Sequence, residues 1–351
     1  MMQQRKVNRK HQRTMMLALL AVWVCIAMCV IQFIQMARMR AQMREQREQI
    51  SRTYNMVQMF HSEALADQGG LERMDSGGHA DGLEAADAQA GADTITLSYA
   101  EQCGLDHVDK PQERTPLQVL ARLEELGRKD ERIAAICSKS EAYPERLLEA
   151  LANNPEMADF VEGYLKAEHA AAGGLTESEM REKYPLLLQW DPRWGYAPYG
   201  DSSCIALSGC GPTCLSMALY YLTGDASLTP DVISDYSMQS GYYMSGTGTL
   251  WALFEDVAPL YGVKVSQPDT SEWEMKAALD RGGILICSMR PGDFTAGGHF
   301  IVIYDYDKDG FKVNDPNCVA RSRQSWTYDQ LGSQIKHLWV LEKGQSLPAY
   351  E

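Results

Sequence analysis

Cys210 stands between two glycines at the head of an apolar run, "SGCGPTCLSMALYYL" over residues 208–222. Pro212 suits the first turn of a helix, Leu215, Met217, Ala218, Leu219 and Leu222 continue it, and Gly224 offers a stop. The spacing therefore predicts a helix whose first turn holds the thiol. A helix N-terminus favours an anion and makes a thiolate easier to form, as a nucleophile requires. The flanking glycines leave room for a second backbone, such as a substrate's. Cysteine is also among the residues most often buried, the part that Cys214 takes one turn later. On this peptide alone, nucleophile and small core residue have equal claim.

A cysteine nucleophile needs a base, and "GGHFIVIYDYDKDGFKVNDPN" supplies one in a suitable setting. His299 opens an apolar strand, the chain reverses around Asp307–Gly310, and "FKVN" returns to stop at Asp315-Pro316. A reversal centred on residue 307 sets His299 opposite Asp315, whereas a tighter turn at Asp309-Gly310 slips them apart. If they meet, the carboxylate can hold the imidazole's tautomer and stabilise its cation. Taken singly, a histidine at a strand end and an Asp-Pro turn are ordinary structural features.

The elements that must position these groups follow from pattern. Helical periodicity begins at Thr229 and recurs over Thr249–Leu260 and Ser271–Asp280, ahead of strand-like runs "GILICSM", "HFIVIYDY", "FKVND" and "HLWVLE". Helices first and strands later predict an α+β domain with a largely antiparallel sheet. "GYYMSGTGTLW" lacks a phosphate-binding lysine and reads as a loop beside a cleft. Upstream, Thr115-Pro116, Tyr143-Pro144 and Asn154-Pro155 place proline at three helix starts, each followed by a helix-period apolar face. A small helical module is expected over 97–172, then the linker "AAAGGLTES". The composition shift at 173–184 predicts that the chain from Leu175 onward folds without that module.

Three blocks in order, "QWDPRWG…YG…SGCGPT", "GGHFIV" and "VNDP", resemble the C39-like peptidases of the papain-like cysteine peptidase superfamily. The resemblance spans about 184–345 and implies a papain-like α+β fold. It also implies a cysteine peptidase that cleaves peptide or protein substrates through an acyl-enzyme, without a cofactor. Cys210 would be the nucleophile, His299 the base, Asp315 the orienting carboxylate and Gln189 the oxyanion donor beside the Cys210 N–H. In bacteriocin-processing members the glutamine lies six residues before the cysteine, the place of Cys204 here. Gln189 stands 21 residues ahead of Cys210, so "PRWGYAPYGDSS" must loop away to let it return. Papain-like folds host several activities. Hydrolysis of cell-wall peptides, acyl transfer and non-enzymatic peptide binding remain as alternatives.

The rest of the chain concerns delivery. Of the net charge of -14 on 351 residues, residues 1–60 carry +8 and the remainder -22. So acidic a body argues against nucleic acid as a partner. From Thr14 to Ala37 no residue is charged, and "MMLALLAVWVCIAMCVIQFI" is long enough to cross a bilayer. The expected order is a cytoplasmic tail at 1–14, a single transmembrane anchor at 15–36, and a helical stalk at 37–60. An acidic, aromatic-free disordered linker follows at 61–96. The basic flank Arg5, Lys6, Arg9, Lys10 and Arg13 places the C-terminal domain outside. Met36, Met43, Ile50 and Val57 recur every seven residues, which allows weak coiled-coil self-association of the stalk. The remaining histidines show no metal-ligand spacing, and seven cysteines beyond the anchor leave at least one thiol unpaired within the chain.

Overall fold

The computed structural model describes residues 96–344. The tail, anchor, stalk and linker expected upstream lie outside the described residues, save for Thr96 itself. No helix among the described residues is long and apolar enough to cross a membrane.

Among the described residues the α-helices begin with α1 (Tyr99–Cys103), α2 (Pro116–Gly127), α3 (Glu131–Cys137), α4 (Glu145–Asn153) and α5 (Ala158–Gly163). Their starts follow from sequence. Ser98 and Thr115 each form a reciprocal capping box, with Glu101 and Gln118 respectively, and Pro116 takes the first helical position. Short helices α6 (Glu177–Arg181) and α7 (Ile205–Ser208) lead to α8 (Cys210–Thr223), the longest and most buried. α8 ends at Gly224 with φ of 74°, a left-handed stop that glycine takes without strain. Then come α9 (Pro230–Gln239), a small hairpin β1 (Tyr243–Met244) and β2 (Gly248–Thr249), and α10 (Ala252–Val257). The segment read as a loop beside a cleft is therefore a hairpin.

The main sheet contains β3 (Val263–Ser266), β4 (Ile284–Met289), β5 (His299–Asp307), β6 (Gly310–Asn314), β7 (Ser325–Trp326) and β8 (Ile335–Lys343). Its order is β3-β8-β4-β5-β6-β7, and every pairing is antiparallel. Between these strands lie α11 (Glu272–Asp280), α12 (Val319–Ser322) and α13 (Tyr328–Leu331). The four strand-like runs are found where expected; β3 and β7 are additional edges.

Both faces of the sheet are covered. Ile284, Ile286, Phe300, Val302, Trp339 and Leu341 pack with Leu215, Ala218 and Leu219 of α8 and with Phe254 of α10. The alternate residues Leu285, Cys287, Ile301, Ile303 and Val340 pack with Met275 and Ala278 of α11. This two-sided burial is why β4 is a continuous apolar run instead of alternating with polar residues.

The helical region is not separate from this body. Leu123, Ile133, Leu147, Leu151 and Phe160 share one apolar cluster with Leu188, Trp190, Tyr196, Cys204 and Val319. Phe160 stacks on Tyr196 at 4.2 Å, and Tyr99 meets Trp190 edge-on at 5.6 Å. The shift in composition at 173–184 marks a change in local structure and not an end of the core, which argues against the expectation that Leu175 onward folds alone. A chain starting at Leu175 would expose Trp190, Tyr196 and Val319. We expect it to unfold broadly or aggregate in thermal scans, while a chain starting at residue 96 unfolds cooperatively; a sharp, reversible transition of the shorter chain would refute the shared core.

Candidate active site

Cys210 is the first residue of α8, half-buried, with Gly209 as N-cap. No side chain caps this terminus, so the backbone amides of the first turn remain the local positive end of the helix. Gly211 is required by space: a Cβ there would come within 2.8 Å of Thr249 Cγ2 on β2. Cys214, one turn later, is fully buried in the core beneath the sheet, as a small apolar residue. None of the seven cysteines among the described residues is in a disulfide.

His299 begins β5 and Asp315 follows β6, and His299 Nε2 lies 2.7 Å from Asp315 Oδ1. The tighter of the two turns is the one formed, with Asp307 paired to Gly310. A bulge at Tyr304 then shifts the register by one, giving Ile303 opposite Val313 and Val302 opposite Asn314. Continued to the strand end, that register sets His299 two residues past Asp315. The gap closes because Asp315 leaves the strand in a turn of its own. Asp315 Oδ1 also accepts from the Asn317 N–H at 2.8 Å, which curls the carboxylate back toward β5.

The other carboxylate oxygen, Oδ2, accepts from Arg321 Nε at 2.7 Å, and the Asp315 N–H donates to Ser322 Oγ at 2.9 Å. Asp315 is wholly buried and Arg321 is 3% exposed. Burial alone would raise the Asp315 pKa, but Arg321 and His299 together hold it below the usual carboxylate range. Burial would likewise lower that of His299. The Asp315 charge and hydrogen bond outweigh it, with a smaller contribution from a hydrogen bond to Cys210, and raise the imidazole pKa to about 9. With Nε2 engaged by Asp315, Nδ1 is the nitrogen left for the thiol.

Arg321 and Ser322 come from α12, a one-turn helix that is itself held from outside the sheet. Glu156, between α4 and α5, is 3% exposed. Its Oε2 accepts from the Val319 N–H at 2.8 Å, and its Oε1 from the Ala320 N–H at 2.9 Å and the Leu105 N–H at 3.1 Å. A carboxylate on the opening amides of a helix is a favourable charge-assisted arrangement. Glu156, Arg321 and Ser322 were not apparent from the sequence. Arg321 and Ser322 are marked only by the polar stretch "RSRQS" that follows "NCVA", and nothing local joins it to a glutamate 163 residues before Val319.

Gln189 is brought to the same neighbourhood by its backbone, whose N–H donates to the Pro316 carbonyl at 2.8 Å. The intervening segment does loop away, through a bridge between Pro198 and Cys204. The Gln189 side chain is buried and its Nε2 donates to the Ala206 carbonyl at 2.6 Å. It does not line the cleft that opens over Cys210 and His299. That cleft, of about 990 Å³, runs between the start of α8, the β1–β2 hairpin and the ends of β4 and β5. No group of acidic, histidine and cysteine side chains among the described residues is arranged to hold a metal ion.

Residues 181–347, a little under half of the chain, match the model of the Peptidase_C39 like family. The chain is also similar to the peptidase domain of Streptococcus ComA, a bi-functional ABC transporter involved in a quorum sensing pathway. Identity is 16%, over 41% of this chain and 95% of that one, with a TM-score of 0.31. A structure described as a C39-like peptidase from Bacillus anthracis is 17% identical over 46% of this chain and 96% of its own, with a TM-score of 0.30. No curated protein matches. The match is to the C-terminal region, which is thus similar to the C39-like peptidases over residues 181–347.

The dependence of α12 on Glu156 has a measurable cost. Glu156→Ala leaves three amides without their acceptor and should lower unfolding free energy by roughly 3 kcal/mol in denaturant titration. Glu156→Gln, which keeps one acceptor oxygen, should cost less. Equal, negligible losses would show that α12 is held by other contacts.

Proposed function

We propose that the C39-like peptidase domain hydrolyses peptide bonds with Cys210 as nucleophile, His299 as base and acid, and Asp315 as the carboxylate that orients it. The observation that carries this reading is the 2.7 Å contact between His299 Nε2 and Asp315 Oδ1, with Cys210 at the head of α8 lining the same cleft as His299. The Cys210 sulfur, its proton passed to His299, attacks the carbonyl carbon, and the carbonyl π electrons move to oxygen. The Cys210 N–H, at the uncapped start of α8, supports the oxyanion. Collapse expels the amine, which takes its proton from His299. Water, deprotonated by His299, then opens the thioester and frees the acid and the thiol.

Cys210→Ala should abolish hydrolysis of a peptide library and labelling by a thiol-directed electrophile, while Cys214→Ala leaves both. Hydrolysis surviving Cys210→Ala would sink the mechanism.

The pH dependence follows from His299. Its imidazolium persists up to about pH 9, so the proton that His299 gives to the leaving amine is available below that pH and is lost above it. The alkaline limb of kcat/KM should therefore fall near pH 9. Asp315→Asn removes the charge that raises the pKa and should move that limb to lower pH. Linkage has the same sign: the contribution of His299 to stability is complete below about 6.5 and disappears as pH rises through about 9. An alkaline limb that stays in place in Asp315→Asn would contradict the assignment.

A further inference from the structure

The cleft over Cys210 carries a charge opposite to that of the body around it. Residues 96–344 hold 36 Asp/Glu against 22 Lys/Arg, a net -14, yet among the described residues no aspartate or glutamate lines the cleft, while Arg146, Arg290 and Lys336 do. All three are exposed. Among the described residues none of them pairs with a carboxylate. Arg146 reaches only the Ser203 and Ser208 hydroxyls, at 3.4 and 3.5 Å. Arg290 donates to the Ile335 carbonyl, and Lys336 lies 5.4 Å from the centre of the Trp251 ring. Nearby, Lys110 does find a carboxylate, Asp293, at 3.2 Å.

Their positions bracket the reacting pair. Met289 pairs with His299 on one side and Ile335 on the other, and Arg290 and Lys336 are the residues that follow Met289 and Ile335. These two cations therefore stand on the sheet side, at strand ends beside His299. Arg146 stands on the helical side, against Ser208, two residues before Cys210. Cations on the walls of a concave site concentrate the field into it, and an anionic ligand entering there meets no like charge from the lining.

We propose that the substrate of this cleft is an acidic peptide, with aspartate or glutamate side chains flanking the bond that lies over Cys210. The inference rests on the reading of the cleft as a peptide site, and it assigns Arg146, Arg290 and Lys336 as the residues that set specificity. Each exposed cation contributes modestly by itself; together they should discriminate by charge and set the rate of encounter.

The test separates binding from chemistry by using the full chain carrying Cys210→Ala. Fluorescent peptides with one shared core and flanks of Glu, Gln or Lys are titrated against it. The Glu peptide should bind about tenfold more tightly than the Gln peptide at low salt, a difference of about 1.4 kcal/mol, and the Lys peptide more weakly still. Added salt should erode the Glu advantage. Combined Arg146→Gln, Arg290→Gln and Lys336→Gln substitutions should abolish it. Equal affinities, a salt-independent preference, or a preference that survives the triple substitution would each overturn the proposal. The salt arm needs only Cys210→Ala, so it decides even if the triple variant misfolds. If affinities are equal but the unmodified chain still cleaves through Cys210, the charge assignment fails and the peptidase reading stands. If the Glu preference is present and no peptide is cleaved, the reverse holds.

Discussion

Asp315 keeps an ionised carboxylate entirely out of water, and much of the surrounding architecture meets that demand. A buried, unpaired carboxylate is destabilising by several kcal/mol. Here one oxygen is shared by His299 and the Asn317 N–H, and the other takes Arg321 Nε. Arg321 is almost as deeply buried and is tolerable only beside that carboxylate. The three side chains thus form a set: removing any one leaves charge or polarity stranded. The same carboxylate keeps the imidazole of His299 cationic over the neutral range.

The fold reaches this arrangement by bringing together three regions distant in sequence: Glu156, the start of α8, and the stretch from β5 to α12. α8 presents Cys210 at its N-terminus while Gly211–Leu219 are buried; it is packed beneath β4, β5 and β8. The β5–β6 hairpin brings His299 and Asp315 together, and α12 completes the surroundings of Asp315. Glu156 then ties α12 to the helices that precede the matched family region. Residue 181, where the family match begins, is therefore a boundary of resemblance and not of the packed body.

The local parts were legible in sequence. A cysteine between glycines before an apolar run, a histidine opening a strand and an Asp-Pro stop each have a local physical meaning, and all three residues sit as their patterns implied. The register was not. "FIVIYDYD" gives no sign that Tyr304 leaves the ladder, because a bulge changes which side chains share a face without changing their types. Arg321 and Glu156 were invisible for a different reason. Their roles exist only across long separations, and single arginines and glutamates are ordinary surface residues until a fold buries them. The helical region misled in the opposite direction: its change in composition suggested independence, while Trp190 and Tyr196 belong to its core.

The sheet ends on one side in β3, with four residues, and on the other in β7, with two. Such margins offer a visiting extended chain few free backbone groups. Growth by strand addition, the route by which β-proteins most readily polymerise, has little to start from. Lys264 projects from β3 as a further obstacle to a neutral, flat edge. The long apolar strands β4, β5 and β8, which would be hazardous at a margin, all lie inside the sheet. The colloidal behaviour of concentrated protein is thereby separated from the strongly apolar sequences that build its centre.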